Sequence, residues 1–537
     1  MGIPSYFSHI VKNYYRLIKK LEKNTIQVNN LYMDCNSIIY DVVHNIDFKN
    51  LKDSEINTII HNVILKIEEY VCLIQPDINI FIAFDGVAPV AKLDQQRSRR
   101  YKSLYQAQIT KSIYKNTGQD PWNTAAITPG TVFMSKLNEK IRANFNNPSK
   151  YNVKNIYLSP SDKYGEGEHK IFEFIRAFPE YHKRSTSIIY GLDADLIMLS
   201  INHLPISEKI YLFRETPHFI RNIYSELEPE CAYYIDIPEL AKIITLDMNN
   251  GKEFAGKEFV SELEKNRIYD YIFMCFFLGN DFMPHFPSVN IRTGGVDKMM
   301  NAYKATIGGT NENLYDGKKI IWKNVRKLVA FLADLEEEHF KVETKLRDRR
   351  EKVRLPEENP EDIFNKFDSI PTYERSVEKM INPFKHGWEN RYYNSLFFME
   401  IDDVRKKQIC VNYLEGLEWT MKYYTTGCPD WRWTYKHYYP PLFKDLIHYI
   451  PYYDTELIEN VPPKPVSELV QLSYVLPPQS LSLLPEKLYK NLMKERSHWY
   501  KSNCEFLWPY CKYFWESHVL LPEIDIDELE DFVNKNK

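Results

Sequence analysis

The chain is poor in the features that would place it outside a reducing compartment or inside a membrane. It has eight cysteines in 537 residues, namely Cys35, Cys72, Cys231, Cys275, Cys410, Cys428, Cys504 and Cys511. None forms a CxxC pair, which argues against a zinc ribbon and a disulfide framework and for reduced thiols in a cytoplasmic setting. No apolar run is long enough to cross a bilayer and no signal-peptide pattern is read, so no membrane partner is expected. Met1-Gly2 opens the chain, but Tyr6 stands where a myristoylation signal wants Ser or Thr. A basic excess is also missing: 69 Lys and Arg face 73 Asp and Glu, a net charge of −4. Any nucleic-acid site must therefore be local, beside a surplus of acids that masks it. There is no internal repeat and no low-complexity tail. With 537 residues the chain can bury a large core in more than one unit.

What is present centres on Gly165-Glu166-Gly167-Glu168-His169-Lys170. Two carboxylates lie two residues apart between glycines, ahead of the amphipathic run Ile171 to Phe178. A second pair, Asp193 and Asp195, follows the apolar β-type run Ser187-Ile188-Ile189-Tyr190. Four converging carboxylates repel one another unless cations sit between them. Oxygen-only ligands suit Mg²⁺ or Mn²⁺ rather than zinc.

The rest of the chain supplies the frame. Leu31-Tyr32-Met33-Asp34 and the run from Ile78 to Gly86 read as buried strands ending in Asp34 and Asp85. Ile56 to Ile74 has helical periodicity. Val153 to Leu158 and Ile210 to Phe213 are further strands, and Thr128-Pro129-Gly130 reads as the cap and first turn of a helix running to Asn144. Strands alternating with helices predict an α/β fold, a mostly parallel twisted sheet flanked by helices. In such sheets reactive groups collect beyond the carboxyl ends of the strands, where Asp34, Asp85 and Asp193 fall. One acid there is an ordinary turn residue; three in succession, with the 165–168 loop, point to a metal site. The buried helix Tyr269 to Leu278 ends in Gly279-Asn280-Asp281, and Asp281 is a further candidate ligand.

Between them runs Lys92-Leu93-Asp94-Gln95-Gln96-Arg97-Ser98-Arg99-Arg100. Coiled as a helix, it puts Lys92, Gln96, Arg99 and Arg100 on one face, at i, i+4, i+7 and i+8. An ammonium, an amide and two guanidinium forks form a donor set for a terminal phosphate. Charge then thickens from Lys341 to Glu351, followed by Pro356 and Pro360. The organisation expected is residues 1–340 as an N-terminal core carrying the acids and the basic helix, 341–380 as charged linker, and 381–537 as a largely helical second region packed around the core. The aromatic stretch Gly427-Cys428-Pro429-Asp430-Trp431-Arg432-Trp433 offers rings between cations that can stack bases or fill the core.

Taken together, these stretches resemble the XRN family of 5′→3′ exoribonucleases. The resemblance is carried by Met1-Gly2-Ile3-Pro4, Met33-Asp34-Cys35-Asn36, Phe84-Asp85-Gly86-Val87-Ala88-Pro89, Gln95 to Arg100, Ile127-Thr128-Pro129-Gly130-Thr131, the 165–170 loop, Gly191-Leu192-Asp193-Ala194-Asp195 and Leu278-Gly279-Asn280-Asp281-Phe282. In the second half it continues through Tyr413 to Trp419, Gly427-Cys428-Pro429 and Val475-Leu476-Pro477-Pro478. It implies a sheet of the flap-nuclease, PIN-like type and seven acidic ligands, Asp34, Asp85, Glu166, Glu168, Asp193, Asp195 and Asp281, for two Mg²⁺ or Mn²⁺ ions. It maps a 5′-phosphate pocket onto Lys92, Gln96, Arg99 and Arg100. It puts Tyr40 where relatives stack a histidine on the first bases, with Trp431 or Trp433 as partner. The expected substrate is decapped, single-stranded RNA with a 5′-monophosphate, digested processively to nucleoside 5′-monophosphates in the cytoplasm by a monomer, a decapping enzyme being a candidate partner. The form implied is short, a nuclease core without the long C-terminal extension. The competing readings are a structure-specific 5′ flap or DNA nuclease, which would share the metal site, and a non-catalytic RNA-binding scaffold, which would tend to lose its acids.

Overall fold

The computed structural model describes residues 5–22, 26–46, 48, 54–115, 122–215, 227–228, 231–252 and 262–537. The motif Met1-Gly2-Ile3-Pro4 lies outside the described residues. A seven-stranded sheet organises the first half: β1 (Ile18–Lys20), β2 (Asn30–Asp34), β3 (Asn79–Ala83), β4 (Asn155–Ser159), β5 (Thr186–Tyr190), β6 (Lys209–Glu215) and β7 (Ala232–Asp236), in the order β1-β7-β6-β5-β2-β3-β4. Strands β2 to β6 run parallel, and β7 pairs antiparallel with both β6 and β1. The mostly parallel sheet expected from the alternating pattern is thus observed.

Every residue of β2 and β3 is buried, because helices cover both faces and leave no polar side. Alternation along the strand then assigns faces. Leu31 and Met33 join one core with Ile80, Ile82 and the helices Asn36–Asn45, Glu55–Ile74 and Val132–Asn144. Tyr32 and Phe81 join the opposite core with helices Gly167–Ala177, Asp195–His203 and Ile237–Met248. From β2 the chain builds outward through β3 and β4 on one side, then returns to lay β5 and β6 on the other. The strand order therefore reverses between β2 and β5, which opens a crevice at their carboxyl ends. Asp34 closes β2 there, and Asp193 follows β5.

The second half is helical apart from a short ribbon, β8 (Glu505–Leu507) with β9 (His518–Leu520). It shares the second of the two cores: Trp419, Tyr423 and Tyr424 of helix Asp403–Thr425 are buried with Phe172, Leu196 and Phe276. Helix Trp322–Glu351 runs across position 341, and the charge-dense stretch continues through helices Pro360–Asp368, Ile370–Tyr373 and Ser376–Ile381. Within it, buried Arg347 and Arg375 converge on buried Glu378, each at 2.7 Å. Two helix boundaries differ from expectation: the run Tyr269 to Leu278 is the end of helix Glu262–Cys275 and a 3₁₀ turn, Phe276–Leu278. The helix expected to start at Thr128-Pro129-Gly130 starts at Val132, capped by Thr131, whose hydroxyl accepts from the Met134 amide at 3.3 Å. Thr128 has another task, described below.

Candidate active site

Three loops and two helix starts meet at the crevice. Gly165, with φ +99°, takes a left-handed turn that side chains rarely adopt. Its amide donates to Val87 O at 2.7 Å and its carbonyl accepts from Gly86 N at 2.9 Å, so the acidic loop is laced to the turn after β3. Lys170 braces the same corner, donating from Nζ to Phe84 O at 2.8 Å and Pro160 O at 3.1 Å, with burial lowering its ammonium to about 8. Asp85 is held by Asn36, whose side chain donates to Oδ2 at 2.7 Å and accepts from the Asp85 amide at 3.0 Å. The Gly167 amide donates to Asp85 Oδ1 at 2.7 Å.

Five of the seven acids, Asp34, Glu166, Glu168, Asp195 and Asp281, are buried, and Asp85 and Asp193 are half-buried. Their proximity is visible in their acidities. Burial, then the charges of Asp85 and Asp193, raise Asp34 well above the usual carboxylate range. Burial and Asp195 do the same to Glu168. Burial and Asp281 push Asp195 up to about 7. Burial would raise Asp281 too, but the Lys92 ammonium, with Arg99 behind it, holds that carboxyl below its ordinary value. Asp34 Oδ1 and Glu168 Oε2 are buried with no hydrogen-bond partner. Among the described residues no three of these groups are drawn closely enough around one point to hold an ion as they stand. The cation they close on is Lys92, whose Nζ lies 2.5 Å from Glu166 Oε2 and 2.6 Å from Asp281 Oδ2. Mutual repulsion, unpartnered buried oxygens and an all-oxygen donor set fit a hard divalent cation in chemistry.

Helix Val90–Ile113 carries the basic face. Its Lys92 and Gln95 sides turn to the acids, Gln95 donating to Asp281 Oδ1 at 3.1 Å. Gln96 Oε1 is buried without a partner. Arg100 is fixed from below by Thr128, donating to its hydroxyl at 2.7 Å, and burial lowers the guanidinium to about 10. Tyr40, on helix Asn36–Asn45, lies close enough to Arg100 for its charge to be felt. Arg97, on the other face, is structural: it donates to Pro522 O at 2.9 Å and Trp499 O at 3.1 Å and lies over Tyr474. The two tryptophans part company. Trp433 stacks on Trp419 in the core, centroids 5.3 Å apart. Trp431 meets the exposed ring of Tyr164 edge-on at 5.3 Å, beside the acidic loop, and its carbonyl accepts from Val90 N at 3.0 Å.

The chain matches the family model described as the XRN 5′-3′ exonuclease N-terminus over residues 1–216. It matches a second, described as the Xrn1 helical domain, over residues 262–380 and 368–536. The chain belongs to the XRN family of 5′→3′ exoribonucleases. It is 27% identical to the 5′-3′ exoribonuclease 2 homolog of Drosophila melanogaster, over 98% of this chain and 70% of that protein. It is 27% identical to 5′-3′ exoribonuclease 1 of Saccharomyces cerevisiae, over 93% of this chain and 40% of that protein. With human 5′-3′ exoribonuclease 1 it shares 28% identity over 98% of this chain and 33% of the relative. This XRN chain thus spans from 33% to 70% of the length of these relatives.

Several polar residues of this XRN chain's crevice escaped the sequence reading. Asn36, two residues after Asp34, holds Asp85. Gln95, not its neighbour Gln96, donates to Asp281. Tyr423 and Tyr424, on helix Asp403–Thr425, donate to Glu166 Oε1 and Asp195 Oδ1, each at 2.9 Å. Burial keeps both phenols well above their usual range, so they remain protonated donors. Adjacent tyrosines at the end of a helix with a buried face carry no sequence signal that separates them from core.

Proposed function

We propose that this XRN chain is a processive, divalent-metal-dependent exoribonuclease that shortens 5′-monophosphorylated RNA one nucleotide at a time, releasing nucleoside 5′-monophosphates. The observation that carries it is the contact between the two functional faces: the acids beyond β2, β3 and β5 meet the basic helix directly, through Lys92 on Glu166 and Asp281. A terminal phosphate held on that helix lies next to the acids, so the cut falls one step from the end.

Asp34, Asp85, Glu166, Glu168, Asp193, Asp195 and Asp281 would hold two Mg²⁺ or Mn²⁺ ions. Such ions, when bound, supply water activation and charge neutralisation at the scissile phosphate. Arg99 and Arg100 would grip the 5′-phosphate with guanidinium forks, with Gln96 adding an amide and Lys92 a point charge. Thr128 sets the angle of Arg100. Tyr40 and Trp431 would stack the first bases, while Trp433 would support them through the core. We assign residues 1–340 to the nuclease core, 341–380 to a charged connector and 381–537 to the region that completes the substrate channel. All eight cysteines are free thiols, which supports a reducing, cytoplasmic setting. Among the described residues no helix is long and apolar enough to cross a membrane. We assign a monomer as the working assembly, with a decapping enzyme as a candidate source of its 5′-monophosphorylated substrate.

The test is Mg²⁺-dependent digestion of one RNA bearing a 5′-monophosphate, a 5′-triphosphate or a cap, beside matched DNA, with products resolved by size. Mononucleotides from the monophosphate RNA alone are expected. Internal cuts or equal use of DNA would move the assignment to a flap nuclease, and binding without cleavage to a scaffold.

A further inference from the structure

Two of the acids are held from outside the sheet. The Tyr423 hydroxyl donates to Glu166 Oε1 and the Tyr424 hydroxyl to Asp195 Oδ1, each at 2.9 Å. Consecutive helical residues point about 100° apart, so one turn of helix Asp403–Thr425 addresses two carboxylates on different elements. Glu166 precedes helix Gly167–Ala177, and Asp195 opens helix Asp195–His203.

Neither phenol is free to wander. The Tyr423 ring stacks on His169 at 3.7 Å and 16°, with Trp419 at 5.0 Å and Phe282 at 5.5 Å around it. Tyr424 sits edge-on to Phe276 at 5.2 Å and to His169 at 5.8 Å. Its carbonyl accepts from Asn202 Nδ2 at 3.0 Å, on the helix that begins with Asp195. Rings needed only for packing could send their hydroxyls to any carbonyl. These two send them to acids of the cluster and leave the other oxygen of Glu166 turned to a cation, as Oε2 is to Lys92 at 2.5 Å.

We infer that Tyr423 and Tyr424 are positioning residues for the metal site: each fixes one oxygen of a metal-binding carboxylate, so that the helical second region sets the affinity of the nuclease sheet for its divalent ions. The inference rests on the reading of the seven acids as metal ligands. Groups that hydrogen-bond metal ligands from further out are worth about 10–100-fold in metal affinity or activity when removed.

The experiment is calorimetric titration of the full chain with Mn²⁺ alone, without RNA, for wild type, Tyr423→Phe, Tyr424→Phe and the double variant. Thermal unfolding in EDTA controls for folding, since Phe keeps the ring and its stacking. Each single variant is expected to weaken Mn²⁺ binding by about tenfold, and the double variant further. Half-maximal digestion should need correspondingly more Mg²⁺, with turnover largely recovered at saturating metal. Wild-type Mn²⁺ affinity in the Phe variants overturns the inference while leaving the metal reading intact. If wild type takes up no Mn²⁺, or uptake survives Asp193→Ala with Asp195→Ala, the metal reading fails and the inference falls with it. Should the double variant not fold, the Tyr423→Phe titration decides.

Discussion

Gly167 and Asp34 compete for one space: a β-carbon on Gly167 would stand 2.5 Å from Asp34 Oδ1, with Asp85 Oδ1 at 3.4 Å. The glycine is there so that backbone can approach two carboxylates, and its amide uses that approach to donate to Asp85 at 2.7 Å. Gly167→Ala should push Asp34 out of register. Overpacking of this kind costs about 1–3 kcal/mol. Turnover should fall by about 5–160-fold if that energy is spent at the reacting centre, at one decade per 1.36 kcal/mol. Single-turnover digestion of 5′-monophosphorylated RNA, with a thermal melt beside it, measures both; unaltered turnover would show that Asp34 has room to move.

Glu168→Ala and Asp193→Ala each remove a carboxylate from the proposed ion-binding set. Metal stabilisation of developing charge is worth several kcal/mol, so turnover should drop by about a thousandfold or more. RNA binding, measured by fluorescence anisotropy, should survive, because the basic helix is untouched. Normal turnover in either variant would remove that residue from the set.

Arg99→Ala takes one fork from the proposed phosphate-binding face of helix Val90–Ile113. Hydrogen bonds to charged groups contribute about 1.5–3 kcal/mol, so the preference for a 5′-monophosphate over a 5′-hydroxyl end should fall by about 10–100-fold. Competition between the two RNAs reads this directly, and an unchanged ratio would place the pocket elsewhere. Arg97→Ala should instead destabilise the fold, since that side chain ties the helix to Trp499 and Pro522.

Asp195 gives a pH dependence with a definite sign. Its carboxyl is raised from an ordinary 3.8 to about 7 by burial and by Asp281. Between those values the folded protein keeps a proton that the unfolded chain has released. Stability without metal should therefore fall as pH rises through that window, and be lowest above it. A divalent ion needs the ionised carboxylates, so it should bind better and stabilise more as they lose their protons. Thermal midpoints in EDTA and in Mn²⁺ at pH 6 and pH 8 test this. The Mn²⁺-induced rise should be larger at pH 8, and equal rises would mean that these acids do not take up the ion.

The strand-end acids were legible because a parallel strand covered on both faces must be apolar throughout. The first carboxylate after such a run, Asp34 after Leu31 to Met33, marks its carboxyl end. The basic helix was legible because period 3.6 alone puts Lys92, Gln96, Arg99 and Arg100 together. The helix starts at Val132 rather than at Thr128 because the Thr131 hydroxyl accepts from its first turn, while the Thr128 hydroxyl accepts from Arg100. Trp431 and Trp433 read alike in sequence and are both buried; they differ in what they touch, Tyr164 beside the acidic loop for one and Trp419 for the other.

Local periodicity and residue chemistry by themselves determined the parallel sheet, the acids at its edge and the basic helix, since each depends on neighbours a few positions away. The contacts that tune those groups were decided by tertiary structure alone. Tyr423 meets Glu166 across 257 positions of chain, and Lys92 meets Asp281 across 189. A hydrogen bond of that kind depends on which helix ends beneath which loop. No pattern within a helix or strand carries that information, because it is set by how the two halves pack into one core.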